Sequence, residues 1–111
     1  ELVQVGRAQG VALKARVLGQ VRALDGDAEL APQGVRVNLV CPGIIDTPMH
    51  QRARGLLGDE IYDQLIGTRI HLRRAGQPEE IARTIVFLCS DDASYVTGAT
   101  LAPDGGFLLT V

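Results

Sequence analysis

The cysteine and histidine side chains of this 111-residue sequence could hold a metal or act as nucleophiles, and they are Cys41, Cys89, His50 and His71. Both cysteines lie inside apolar runs, which is typical of buried free thiols in a cytoplasmic protein. No spacing among the four residues matches a zinc motif, so we expect no metal site. The two histidines are isolated, which favours surface or helix-end positions. The chemistry must then come from a different kind of motif.

The overall composition argues against several classes of partner. The net charge is -2 and aromatic residues make up 4% of the chain, so neither nucleic acid nor an anionic membrane surface is an expected partner. No apolar run approaches the ~20 residues of a membrane span, and the N-terminus does not resemble a signal peptide. We therefore expect a cytoplasmic location. Because the sequence begins at Glu1 without an initiator Met, we also expect further sequence upstream.

The first third of the chain predicts a helix followed by a turn. Val17, Val21 and Leu24 recur with helical spacing, and the pattern predicts a helix over residues 11–24. Asp25-Gly26-Asp27 should interrupt it. A short turn over residues 28–31 should then end at Gly34, in a C-cap position.

The remaining pattern predicts alternating strands and helices. Residues 35–41 are rich in β-branched side chains and predict a strand buried on both faces, as in a parallel sheet. A loop over 42–48 follows, then short helical pieces over 48–67 broken at Gly55 and Gly58, and a connecting segment to Gly76. Pro78, Glu79 and Glu80 are typical of a first helical turn, which predicts a helix over 78–90. With a short strand at 100–102, this order indicates an α/β fold.

Three stretches in this order and spacing resemble the C-terminal half of the short-chain dehydrogenase/reductase family. They are Leu30–Asn38 continuing through Val40–Met49, then Arg74–Ala82, and Phe87–Leu101 closed by Asp104-Gly105-Gly106. The resemblance covers residues 30–106, and residues 1–29 match as a divergent catalytic-helix region. It implies a partial Rossmann-type, doubly wound parallel sheet, with residues 1–111 forming a single incomplete domain.

By this resemblance, the chemistry is hydride transfer between NAD or NADP and a carbonyl or alcohol substrate. Lys14 falls on the family's catalytic lysine, which also holds the nicotinamide ribose. The family's catalytic tyrosine lies four residues earlier, where this chain has Gly10, a residue without an acid/base group. The family's catalytic serine would lie before residue 1. An ordinary exposed helix lysine is the alternative interpretation of Lys14.

The loop after the predicted strand also matches the family's cofactor-binding pattern. The resemblance assigns Pro42, Gly43, Ile45 and Thr47 to the cofactor, with the backbone of Ile45 meeting the nicotinamide carboxamide and the Thr47 hydroxyl also bonding the cofactor. Such loops lie at the carboxyl ends of parallel strands, where ligands bind. The alternative is a strand-ending turn with Thr47-Pro48 opening a helix.

A second, weaker match lies near the N-terminus. Residues 5–12 mimic the family's glycine-rich phosphate loop, with Gly6 and Gly10 in place and Ala12 for the last glycine, after a strand over residues 2–5. A lone match of this kind has low specificity.

These features predict the C-terminal portion of an NAD(P)-dependent oxidoreductase that is inactive alone. The alternatives are a non-catalytic module that assembles with itself or with subunits of the same family, and a truncated gene product without its own function. Two or three parallel strands are marginal alone, so we expect poor monomer stability or oligomerisation.

Overall fold

The computed structural model describes residues 2–8, 11–16 and 27–109. Its strands are β1 (Leu2–Ala8), β2 (Val11–Arg16), β3 (Arg36–Val40) and β4 (Thr100–Leu101), and its helices are α1 (Asp27–Leu30), α2 (Pro48–Leu57), α3 (Asp59–Arg69) and α4 (Pro78–Cys89). Short 3-10 turns cover Ala31–Gln33, Asp91–Ala93 and Phe107–Leu109. The chain divides into two compact units, Glu1–Cys41 with Arg83–Leu101, and Pro42–Ala82 with Ala102–Val111.

The first unit contains a sheet with the strand order β1-β2-β3-β4. β1 and β2 pair antiparallel, whereas β3 pairs parallel with both β2 and β4. The predicted strand at 35–41 is confirmed as β3, and the predicted strand at 100–102 as β4. The described residues contain four strands, where the sequence indicated two or three.

The expected helix over residues 11–24 is wrong for residues 11–16, which form β2. The reason is visible in the sequence, since Val11, Leu13 and Ala15 alternate with Lys14 and Arg16, a two-residue period that suits a strand. Residues 17–24, which carry the helical spacing, lie outside the described residues. The phosphate-loop alternative needs a helix after its last glycine position, and β2 occupies that place.

One buried amide, that of Asn38, helps to hold β3 to the segment before β4. Asn38 is 7% exposed. Its Nδ2 donates to the Val96 carbonyl at 2.9 Å, and its Oδ1 accepts from the Ala99 N–H at 3.0 Å. Arg36 adds hydrogen bonds from its guanidinium to the carbonyls of Val96 and Ser90 at 3.1 and 3.3 Å. Leu39 and Val40, the last two residues of β3, are buried.

The second unit contains the helical hairpin, which we define as α2 and α3 joined at Gly58. Gly58 has φ +84°, a backbone conformation that favours glycine, so α2 ends there as predicted. The predicted break at Gly55 is wrong, because α2 runs through it. A single glycine inside a helix costs about 1 kcal/mol and need not end it. Tyr62, Ile66 and Ile70 form a buried cluster against which Ile44 packs.

Two sets of predicted boundaries are confirmed, those of α4 and that of the turn that ends at Gly34. α4 begins at Pro78 and ends at Cys89, within one residue of the prediction. Glu80, in the first turn of α4, accepts a hydrogen bond from the Gln77 N–H at 2.7 Å, which is half of a capping box. Gly34 ends the 3-10 turn after α1 in the left-handed conformation, as the C-cap pattern indicated.

Candidate functional site

The candidate site is the loop that follows β3, from Pro42 to Thr47. Gly43 brings this loop against the residues that follow β4, and its N–H donates to the Pro103 carbonyl at 3.3 Å. A Cβ on Gly43 would lie 2.6 Å from Asp104 Cα and 2.7 Å from Asp104 Cβ. Only glycine fits this approach without moving backbone atoms, so Gly43 fixes the path of the loop.

A parallel bridge between Ile45 and Gly76 holds the middle of the loop. The Gly76 N–H donates to the Ile44 carbonyl at 2.9 Å, and the Asp46 N–H donates to the Gly76 carbonyl at 2.8 Å. In this geometry the bridge uses the groups on either side of Ile45, so the N–H and carbonyl of Ile45 itself point away from Gly76. Within the described parts of the chain, neither group of Ile45 has a hydrogen-bond partner.

The pair of backbone groups on Ile45 is a donor and an acceptor side by side. A primary carboxamide presents the complementary pair, an N–H donor and a carbonyl acceptor. The backbone edge of Ile45 can therefore recognise a carboxamide such as that of nicotinamide. This fit depends on the backbone only, so the sequence could not indicate it without the family resemblance.

Thr47 ends the loop and begins α2. Its backbone is extended (φ -130°, ψ 162°), and its Oγ1 accepts a hydrogen bond from the His50 N–H at 3.3 Å. The predicted helix-opening role of Thr47-Pro48 is confirmed. The same hydroxyl keeps its own proton for a second partner, because a threonine hydroxyl both donates and accepts. The two interpretations of Thr47 are thus compatible.

The predicted loop residues Pro42, Gly43, Ile45 and Thr47 all lie in one loop of the second unit. Lys14 lies on β2, where it pairs in register with Gln4 and Val37, and not on a helix. Its predicted catalytic and cofactor roles stay predictions. Gly10, at the position of the family's tyrosine, lies outside the described residues.

A pocket of about 160 Å³ lies beside the bridge, with Ile44, Ile45, Leu72, Ile81 and Pro103 among its lining residues. The charged side chains on its wall are already engaged. Arg74 donates two hydrogen bonds to Glu80 at 2.8 and 2.7 Å, and Asp104 accepts from the N–H groups of Gly106 and Leu108. We assign no ligand to this pocket.

The helical hairpin carries polar contacts that the sequence did not reveal. His50 Nε2 and the Tyr62 hydroxyl form a hydrogen bond between α2 and α3. The Arg54 guanidinium lies 4.7 Å from the centre of the Tyr62 ring and bonds Asp59 at 2.7 Å. His50 was expected at a helix end and does lie in the first turn of α2. Its pairing with Tyr62 had no signal in the spacing of residues, since it depends on how two helices pack.

Burial raises the pKa of Tyr62 above its ordinary value of 10.0. The neutral phenol is thus favoured in the folded state, and its contribution to stability is present below pH 10 and lost as the pH rises through the raised pKa. Above pH 10, we expect the free energy of unfolding of the wild type to fall relative to that of Tyr62→Phe. Urea unfolding from pH 7 to 11 measures the difference. A constant difference across this range would contradict the expectation.

No helix among the described residues is both long and apolar enough to cross a membrane. Within the same residues, no group of three or more His, Cys, Asp and Glu side chains could hold a metal ion. Cys41 and Cys89 are free thiols, both half-buried.

The comparisons with known proteins agree on one family. A family model described as Enoyl-(Acyl carrier protein) reductase matches residues 5–108. The chain is 39% identical over 103 residues to an acetoacetyl-CoA reductase of Rhizobium meliloti, and 40% identical over 104 residues to a 3-oxoacyl-(acyl-carrier-protein) reductase of Thermotoga maritima. These matches cover 93% and 94% of this chain but 40% and 39% of the two relatives. The chain thus spans about two fifths of their length.

Solved structures show the same relationship. A putative NAD(P)-dependent gluconate 5-dehydrogenase from Beutenbergia cavernae, with bound NADP, matches with a TM-score of 0.69 and 40% identity. The match covers 80% of this chain and 34% of that one. The fold is therefore part of a Rossmann-type α/β fold, as the sequence indicated. The chain belongs to the short-chain dehydrogenase/reductase family.

Proposed function

We propose that this chain is the nicotinamide-contacting, C-terminal portion of an NAD(P)-dependent oxidoreductase, and that it does not turn over by itself. The observation that carries the proposal is the backbone edge of Ile45, which is turned away from Gly76 and lies two residues before Thr47 in the same loop. Ile45 would hold the carboxamide, and Thr47 would donate a hydrogen bond to the cofactor. When bound, the nicotinamide supplies or accepts the hydride.

Two parts of the family's chemistry have no counterpart among these residues. Gly10 carries no group that could hold or move a proton at the tyrosine position. The glycine-rich loop that surrounds the pyrophosphate has only the weak look-alike at residues 5–12, where β1 and β2 lie. Because phosphate contacts supply much of dinucleotide affinity, we expect weak binding by the chain alone.

The substrate proposed is a carbonyl or alcohol compound, and the relatives suggest 3-oxoacyl thioesters as the first class to test. The helical hairpin fits such a class, since it exposes apolar side chains at Met49, Leu56 and Ile61. A substrate with an apolar chain would cover part of this surface.

The test combines cofactor affinity with turnover. Nicotinamide fluorescence, followed while NADH or NADPH is titrated, should give a dissociation constant weaker than about 100 µM, which corresponds to roughly -5.5 kcal/mol. With acetoacetyl-CoA as the substrate, absorbance at the nicotinamide band should show no oxidation of NADPH above the rate without protein. Saturable binding well below that constant, or turnover by the purified chain, would contradict the proposal.

A second function, as an assembly module, is favoured by one observation. The end of α4 and the turn after it expose apolar side chains at Val86, Phe87 and Tyr95, with Tyr95 fully exposed. Large apolar side chains exposed near one another in the chain are a reason to test for a protein interface. The module would pair with a second copy or with a subunit of the same family.

We expect the purified chain to form oligomers through this surface. The double variant Val86→Ser with Phe87→Ser should reduce the mass measured by light scattering to that of a monomer, because it removes apolar area from the contact. Leu56→Ser, at an exposed apolar residue of α2, is the matched control and should leave the mass unchanged. A monomeric wild type, or an unchanged mass in the double variant, would argue against the assembly module.

A further inference from the structure

His50 connects α3 to the candidate site through two hydrogen bonds. Its backbone N–H donates to Thr47 Oγ1 at 3.3 Å, so the Thr47 side chain is oriented by the first turn of α2. Its imidazole Nε2 bonds the Tyr62 hydroxyl on α3, with the two ring centres 5.0 Å apart. One residue therefore holds the Thr47 hydroxyl with its backbone and α3 with its side chain.

Tyr62 is held in place by the buried side chains around it. It is 8% exposed and belongs to the buried cluster with Ile66 and Ile70. Ile44, two residues before Asp46 in the loop, packs against the same cluster. The connection forms a closed circuit within the second unit, from the loop through α2 and α3 and back to the loop. A circuit of this kind limits how far Thr47 can rotate without breaking a contact.

We propose that Tyr62, acting through His50, is a positioning residue for the Thr47 hydroxyl, an inference that rests on the proposed cofactor role of that hydroxyl. Neither His50 nor Tyr62 needs to touch the cofactor. Their hydrogen bond fixes the first turn of α2, and this turn fixes the Thr47 side chain with its donor proton left for the ligand.

The hydrogen bond between the Tyr62 hydroxyl and His50 Nε2 joins two groups that can each donate or accept, and its direction depends on the tautomer of the imidazole. Burial raises the pKa of Tyr62, so the hydroxyl keeps its proton at neutral pH. The ring nitrogen signals of His50 in NMR spectra report the tautomer directly.

Tyr62→Phe is the variant that tests the inference, because it deletes the hydroxyl and keeps the ring that packs in the cluster and under Arg54. Tyr95→Phe is the matched control, since Tyr95 is fully exposed and loses the same hydroxyl. His50→Gln is the conservative variant, because its amide can bond the Tyr62 hydroxyl as donor or as acceptor. His50→Ala has no hydrogen-bonding group on its side chain. All four are made in the complete chain.

The readouts do not depend on cofactor binding. In Tyr62→Phe, we expect the His50 amide to exchange about fivefold faster, the size expected for one hydrogen bond, and the Thr47 side chain to average over χ1 rotamers in scalar-coupling measurements. His50→Ala should behave like Tyr62→Phe, while His50→Gln and Tyr95→Phe should resemble the wild type. Of the two tyrosine variants, only Tyr62→Phe should change the His50 tautomer signals.

Cofactor titration then separates the two proposals. If NADH shifts the Ile45 and Thr47 NMR signals of the wild type, Tyr62→Phe should weaken that binding about fivefold. A wild type that gives no such shifts overturns the cofactor role but leaves the positioning role to be decided by exchange and rotamer averaging. Unchanged exchange and rotamers in Tyr62→Phe overturn the positioning role, and so does unchanged NADH affinity in a chain that binds it.

Discussion

Gly43→Ala is expected to lower the free energy of unfolding by about 3 kcal/mol, toward the upper end of what overpacking typically costs. The added methyl group would meet Asp104 Cα at 2.6 Å and Asp104 Cβ at 2.7 Å, and its third close neighbour is the Asp104 carbonyl oxygen at 3.0 Å. Two of these are backbone atoms, so a side-chain rotation cannot relieve the clash. Urea unfolding at fixed chain concentration measures the loss.

Gly55→Ala is the matched control for Gly43→Ala. A Cβ on Gly55 meets nothing within 4 Å, and the residue lies inside α2. The same added methyl group should therefore raise the free energy of unfolding by about 0.5–1 kcal/mol, from helix propensity alone. If Gly43→Ala and Gly55→Ala changed stability alike, the close approach of the loop to Asp104 would be disproved.

Asn38→Asp is expected to cost about 3 kcal/mol at neutral pH. The carboxylate can still accept from the Ala99 N–H, but its second oxygen would face the Val96 carbonyl, which now accepts from Nδ2. Two oxygens without a proton between them repel, and the new charge is buried, so the Arg36 guanidinium that bonds the same Val96 carbonyl offsets only part of the cost.

The pH dependence of Asn38→Asp provides an internal control. A protonated acid can donate to the Val96 carbonyl and restore the lost bond, so folding should raise the pKa of this carboxyl. The restored stability is present below the unfolded value of about 3.9 and is lost as the pH rises through the raised folded value. Urea unfolding of the variant and the wild type from pH 4 to 8 should show the gap narrowing at acid pH. A gap that is constant with pH would contradict this bonding of Asn38.

The sequence predicted β3, α4 and the turn at Gly34 well, because each is specified by local signals: β-branched residues, an N-terminal proline with acidic neighbours, and a left-handed glycine. β2 was missed for a different reason. Its alternation of Val11, Leu13 and Ala15 covers only six residues. The residues that follow have helical spacing, so the whole run resembles one helix. The partner strand decides between the two periods, and a local pattern does not contain that information.

The sequence predicted only part of the candidate site, because its other features depend on residues that are distant in the chain. Thr47 and Gly43 are recognisable by residue type and by the family motif. The direction of the Ile45 backbone groups depends on the bridge to Gly76, 31 positions away in the chain, and the hydrogen bond between His50 and Tyr62 depends on the packing of two helices. Both are properties of tertiary structure, so residue spacing alone could not reveal them.

The assignment of residues 42–47 to the nicotinamide is tested most directly by asking which half of the dinucleotide the loop recognises. Nicotinamide mononucleotide and ADP-ribose, each titrated to several millimolar, are compared by their effects on the amide NMR signals of the chain. We expect nicotinamide mononucleotide to shift the signals of Ile45 and Thr47 and ADP-ribose to leave them in place. Shifts of these two residues with ADP-ribose alone, or none with either compound, would contradict the assignment of residues 42–47 to the nicotinamide.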